Sequence, residues 1–192
     1  MLDSKKEIRV AATSAMKPVD TTVAEIAAKL LLNFKDVDLE DLLKQGKDVV
    51  EPLVPILAFQ FESIAGLPSR DDAALGKAQL LLNCLFSCAP NDPLSNKAIL
   101  KALRSNEIRF QHTGVVGARS IKDGKSGIAD VLRVAKRCPN ESVRIDAVQT
   151  ALELADKTNK EVIIKSLGEL QLDRSEKIRK AVDSALEKLK EK

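Results

Sequence analysis

The chain has no tryptophan and no tyrosine, and aromatic residues supply only 3% of its 192 positions. So few flat side chains leave little for stacking bases, which weighs against a reader of single-stranded nucleic acid. Histidine occurs once, as His112. A single imidazole cannot furnish a multi-histidine metal centre, and nothing marks the nucleophile and orienting group that triad chemistry would add. The three cysteines, Cys84, Cys88 and Cys138, do not make an even disulfide framework and read as reduced, buried thiols. Cys84 and Cys88 share a helix face four residues apart, but no histidine or further cysteine lies near them to complete a zinc site. No stretch approaches the roughly 18 apolar residues of a membrane span. The richest candidate, "PLVPILAF" at 52–59, is short and holds two prolines. "MLDSKKEIRV" lacks the basic start, apolar run and cleavage site of a secretory signal. The expectation is a soluble, cytoplasmic chain with no cofactor, no bound metal and no membrane partner.

What is present is the composition of long helices. Hydrophobic residues make up 44% and charged residues 31%, with Ala, Leu, Lys, Glu and Asp prominent. The net charge of +3 is unevenly spread. Residues 18–72 hold five Lys and Arg against eleven Asp and Glu, whereas residues 97–138 hold ten against three. One end is acidic and the middle is basic, which matters for partners.

Helix punctuation is frequent. "SKKE" (Ser4 to Glu7) and "TVAE" (Thr22 to Glu25) match capping boxes and predict helices near 4–16 and 22–34. Asp38 is placed to cap a short helix through Gln45 that Gly46 stops; further helices are expected over about 50–65 and 71–88, before "APNDP". No period-2 run of β-formers marks a sheet. From residue 94 three units of helix, turn and helix follow: 96–103 into "EIRFQHTGVVGARSI", 126–136 into "ESVRIDAVQTALELA", and 159–170 into "SEKIRKAVDSALEKL". Ile108-Arg109, Val143-Arg144 and Ile178-Arg179 recur 35 residues apart at the start of each second helix.

These residues resemble the HEAT-repeat family, in which a Val/Ile-Arg pair opens the second helix and small residues follow one turn later. The likeness covers 94–192 well, with "KEIRVAA" at 6–12 as a further second-helix start, and residues 38–88 keep the helical pairing without the motif. It implies an all-α, armadillo-like α-solenoid: a right-handed superhelical stack of about five antiparallel helix pairs in one domain spanning 1–192. Within it, 1–66 are divergent N-terminal helices, 67–93 a divergent repeat, and 94–192 three clear repeats.

Sliding the sequence by 35 places Phe110 on Ile145 and Lys180, Thr113 on Val148 and Asp183, Gly117 on Leu152 and Glu187, and Ser120 on Ala155 and Lys190. The strip is apolar in the middle unit, which predicts a helix sandwiched between neighbours, and charged in the last, which reads as a cap. The same register puts His112 on Ala147 and Val182 and predicts a packed or hydrogen-bonded structural histidine. Arg109, Arg144 and Arg179 read as braces for the turn or the adjoining repeat, with Asn106, Asn140 and Asp173 ahead of them as partners. Gln111, Gly114 and Ala118 superpose on Asp146, Gln149 and Glu153, a polar stripe beside a bald patch at Gly114, Gly117 and Ala118. Two mid-helix glycines cost ~1 kcal/mol each against Ala, so a neighbouring backbone is expected close by.

"DGKSG" at 123–127 lacks the first glycine of a P-loop, since position 119 is Arg, and reads as a turn with Ser126 capping the next helix. The expected function is therefore non-enzymatic: a scaffold or adaptor whose protein partner docks on the groove of the second helices, at Gln111, Gly114, Asp146, Gln149 and Glu153. The alternative is nucleic acid on the basic 97–138 face through Lys122, Lys125, Arg133 and Lys136. A third class, a HEAT-like lyase or chaperone-type helper, has no marked catalytic set behind it.

Overall fold

A computed structural model describes residues 21–34, 37–67, 71–121 and 124–191. Their regular structure is helical throughout, with no strand among the described residues. The helix expected at 4–16, the "SKKE" capping box and the "KEIRVAA" motif lie outside the described residues, as does Lys122. The chain divides into two compact units, Met1–Ala98 and Ile99–Lys192.

In the first unit, α1 (Thr21–Leu32) begins one residue before Thr22, so Thr22 lies inside the helix rather than capping it. Helix α2 (Leu39–Gln45) follows the expected punctuation: the Asp38 carboxylate accepts from the backbone N–H of Glu40 and Asp41, and Gly46 adopts a φ of 84° where the helix stops. That left-handed backbone is the conformation glycine takes without steric cost. A single turn, Lys47–Val50, and a 3-10 turn, Glu51–Leu53, lead into α3 (Val54–Ala65). The prolines at 52 and 55 sit at early turn positions, where a missing N–H costs nothing. Asp71 caps α4 (Asp72–Cys88). The core joins α1 to α4 through Leu30, Leu42, Leu57, Phe61, Leu81, Leu82 and Leu85, each at most 2% exposed. The Gln60 amide donates to the Leu30 carbonyl at 2.7 Å, and the Cys84 thiol donates to the Leu39 carbonyl at 3.7 Å.

Helix α5 (Pro93–Arg104) carries the unit boundary within it. The second unit continues with α6 (Ile108–Ala118), α7 (Gly124–Arg137), α8 (Glu141–Glu153), α9 (Lys160–Gly168), a 3-10 turn Glu169–Leu172, and α10 (Glu176–Glu191). Helix α8 packs against α6, α7 and α10, the sandwich expected of its two apolar strips.

The repeat register differs from the one the Ile-Arg pairs indicate. The capping residues are Glu107, Asn140 and Ser175; their carbonyls receive the N–H of Gln111, Arg144 and Arg179 respectively. Equivalent positions are therefore 33 and then 35 residues apart. Burial agrees: Phe110, Gly114, Val115, Gly117 and Ala118 take the places of Val143, Ala147, Val148, Thr150 and Ala151. The physical reason is that helix phase is set by the cap and the buried face, not by a dipeptide spelling. Ile108-Arg109 falls two residues early with respect to its cap, and Arg109 is exposed.

Candidate interaction surface

In each of these three helix pairs one side chain on the second helix reaches back to a backbone carbonyl in or beside the preceding turn. Gln111 Nε2 donates to the Ser105 carbonyl at 2.7 Å, and Arg179 donates to the Asp173 carbonyl at 2.6 Å, in each case six residues back. Arg144 donates to the Ala135 carbonyl at 2.7 Å and also forks onto both oxygens of Asp173 in the next pair. The arginine role expected from the sequence is present at Arg144 and Arg179, while in the first pair Gln111 fills it, not Arg109. The Arg144 guanidinium holds the Asp173 carboxyl below its ordinary range, helped by the Ser175 backbone N–H. A second tie crosses at the same level, where the Ser175 hydroxyl donates to Glu141 and Lys177 stands 3.2 Å from it. Glu141 is likewise shifted down, first by Ser175 and then by Lys177.

With the register corrected, the polar stripe changes membership. Gln111 and Gly114 are buried and do not reach the exposed face. At Gly114 α5 comes close, since a Cβ there would lie 2.8 Å from the Leu103 backbone nitrogen. The close backbone that the glycine announces belongs to the neighbouring helix, not to a docked partner. Gln149 and Glu153 are exposed and Asp146 is half-buried.

His112 joins them, and of the packed or hydrogen-bonded roles expected for it the packed one does not hold: its side chain is 47% exposed and its Nε2 lies 3.2 Å from Asp146. A 35-residue spacing puts it on core-facing Ala147, whereas the 33-residue spacing set by the caps puts it on half-buried Ile145. Two turns further along, Arg119 Nε donates to the Thr150 hydroxyl at 3.0 Å and lies 3.3 Å from Glu153. His112 to Asp146 and Arg119 to Glu153 are both separations of 34 residues, so two rungs at a seven-residue rise link α6 to α8. Val116, 37% exposed, lies on α6 between them. The signal for this surface was in the sequence as opposite charges at one constant separation; the Ile-Arg spacing obscured it.

The basic face is more occupied than its charge count suggests. Arg133 donates to the Leu103 carbonyl and stands 3.6 Å from Asp130, which also accepts from Arg104 at 2.8 Å. Lys136 donates to Glu169 at 2.8 Å, holding that carboxyl below its usual range. Lys125 falls in the first turn of α7. Cys84 and Cys88 are buried free thiols, and among the described residues no group of three or more His, Cys, Asp or Glu side chains could hold a metal. No helix among the described residues is long and apolar enough to cross a membrane. No protein-family model, curated protein or solved structure matches this chain.

Proposed function

We infer that the chain is a HEAT-like α-solenoid serving as a non-enzymatic scaffold, with a protein partner docking across the exposed faces of α6 and α8. The observation that supports this reading is that Gln111, Arg144 and Arg179 take the same place after the caps of successive second helices, and each reaches back with its side chain to a backbone carbonyl of the preceding turn or helix. Such a stack offers a broad surface rather than a deep pocket, and its recognition rests on area and charge arrangement. The surface is polar and pre-organised. His112, Arg119, Asp146 and Glu153 hold one another in place, with Val116 and Gln149 between them. Nucleic acid is the second reading, supported by Lys101 and Arg137, which are exposed on α5 and α7 and have no ion-pair partner among the described residues.

The test is capture of partners on the purified chain with and without nuclease, at about 50 and about 200 mM salt, beside a Gln149→Arg variant. A protein that survives nuclease and the higher salt, and is lost with Gln149→Arg, supports the scaffold. Nucleic acid released by salt, with no protein dependent on Gln149, overturns it in favour of the basic face.

A further inference from the structure

In the middle pair Val148 of α8 is fully buried, with Ile145 and Leu152 beside it half-buried, and α10 packs against that helix. The equivalent position in the last pair is Asp183, and it is exposed, as are Lys180, Glu187 and Lys190 along the same helix. This strip borders a cleft of about 420 Å³ lined by Ile164, Gln171, Asp183, Leu186, Glu187 and Lys190, so two half-buried aliphatic side chains lie within the charged rim. The Gln171 amide donates to Asp183 at 2.9 Å and fixes one wall. The next residue, Leu172, is 91% exposed, the most exposed of the large apolar side chains described.

We propose that this surface pairs with the same surface of a second copy of the chain about a two-fold axis. A two-fold contact requires a patch complementary to itself, in which residue i meets residue j and j meets i. Here one patch supplies a projecting leucine and a recess with an aliphatic lining, and it carries both charge signs. Leu172 of each copy enters the Ile164 and Leu186 cleft of the other, and Lys190 of each meets Asp183 and Glu187 of the other. The paired acids and the lysine would otherwise be desolvated unpaired by any apolar visitor. The patch is small and half polar, so the dimer is a weak one.

The experiment is sedimentation velocity on the full chain from about 5 to about 500 µM, a range that brackets small, weak interfaces. The expected result is a monomer–dimer equilibrium that stops at the dimer. Leu172→Asp changes a side chain already in water, so folding is retained by circular dichroism while association weakens at least about tenfold. Asp183→Lys weakens it as well, and the full reversal Asp183→Lys and Glu187→Lys with Lys190→Asp restores it, because both signs then exchange on both copies. Monomer at every concentration, growth beyond the dimer, a dimer indifferent to Leu172→Asp, or failure of the full reversal would each overturn the proposal.

Discussion

Gln111 stands in its helix pair where Arg144 stands in the next. Each donates its backbone N–H to a capping residue, Glu107 or Asn140, and each reaches back with its side chain to a carbonyl in or beside the preceding turn. Only the arginine has the length and the second donor edge to reach the following pair as well, where it holds Asp173.

Arg144→Ala removes the bond to the Ala135 carbonyl and leaves a mostly buried Asp173 carboxylate without its main partner. A hydrogen bond to a charged group contributes about 1.5–3 kcal/mol, and a loss of that size is expected in urea unfolding. Adding Asp173→Ala should recover part of the loss. If the double variant is less stable than the single by the full cost of a second mutation, the two residues are not coupled.

Two mid-helix glycines should respond to alanine with opposite signs. At Gly114 a new Cβ would meet the Leu103 backbone nitrogen at 2.8 Å and its Cγ at 3.0 Å, so α5 and α6 must separate. Overpacking of this kind costs about 1–3 kcal/mol, more than the helix propensity that alanine returns. At Gly76, in α4, a Cβ meets nothing within 4 Å. Gly76→Ala should therefore stabilise by roughly 0.5–1 kcal/mol, read as a rise in melting temperature.

Acid should loosen the second unit. Asp173, Glu141 and Glu169 all have carboxyl groups shifted below their ordinary range by Arg144, by Ser175 with Lys177, and by Lys136 respectively. A carboxylate whose folded pKa is depressed contributes stability that is present above its unfolded pKa and is lost as pH falls through the folded value. Urea midpoints should thus hold steady down to about pH 5 and decline below about pH 4, where free carboxylates protonate. Arg144→Gln should make that decline shallower, and an unchanged slope would remove Asp173 from the account.

The thiol of Cys84 should be inert in the folded chain. Burial raises its pKa to about 12, with Cys88 adding to the shift, so almost no thiolate exists near neutrality. A disulfide reagent at pH 8 should label Cys84 only as fast as the protein opens, and denaturant should expose it at once. Rapid labelling of Cys84 in native conditions would contradict its burial.

Much of the fold was legible because helices are encoded locally. Asp38 and Gly46 bound α2, Asp71 opens α4, and Asn140 opens α8, each through bonds within a few residues of sequence. The sandwiching of α8 was legible too, since two apolar strips on one helix need two neighbours. The exposure of His112 was not. Its place follows from which face of α6 meets α5, and that face was hidden by a second Ile-Arg spelling two residues out of phase. Gln111 escaped notice as a brace because glutamine carries no charge to draw attention, yet its amide reaches the Ser105 carbonyl as well as a guanidinium would.

The sequence alone determined the helices and their limits, because caps, glycines and the 3.6-residue spacing of apolar side chains act within one segment. Only the tertiary structure decided the phase between segments, and with it the exposed surface. The rotation of α6 about its axis is fixed by how closely Ala102 and Leu103 of α5 can approach Gly114. Close packing across two helices is a property of neither alone.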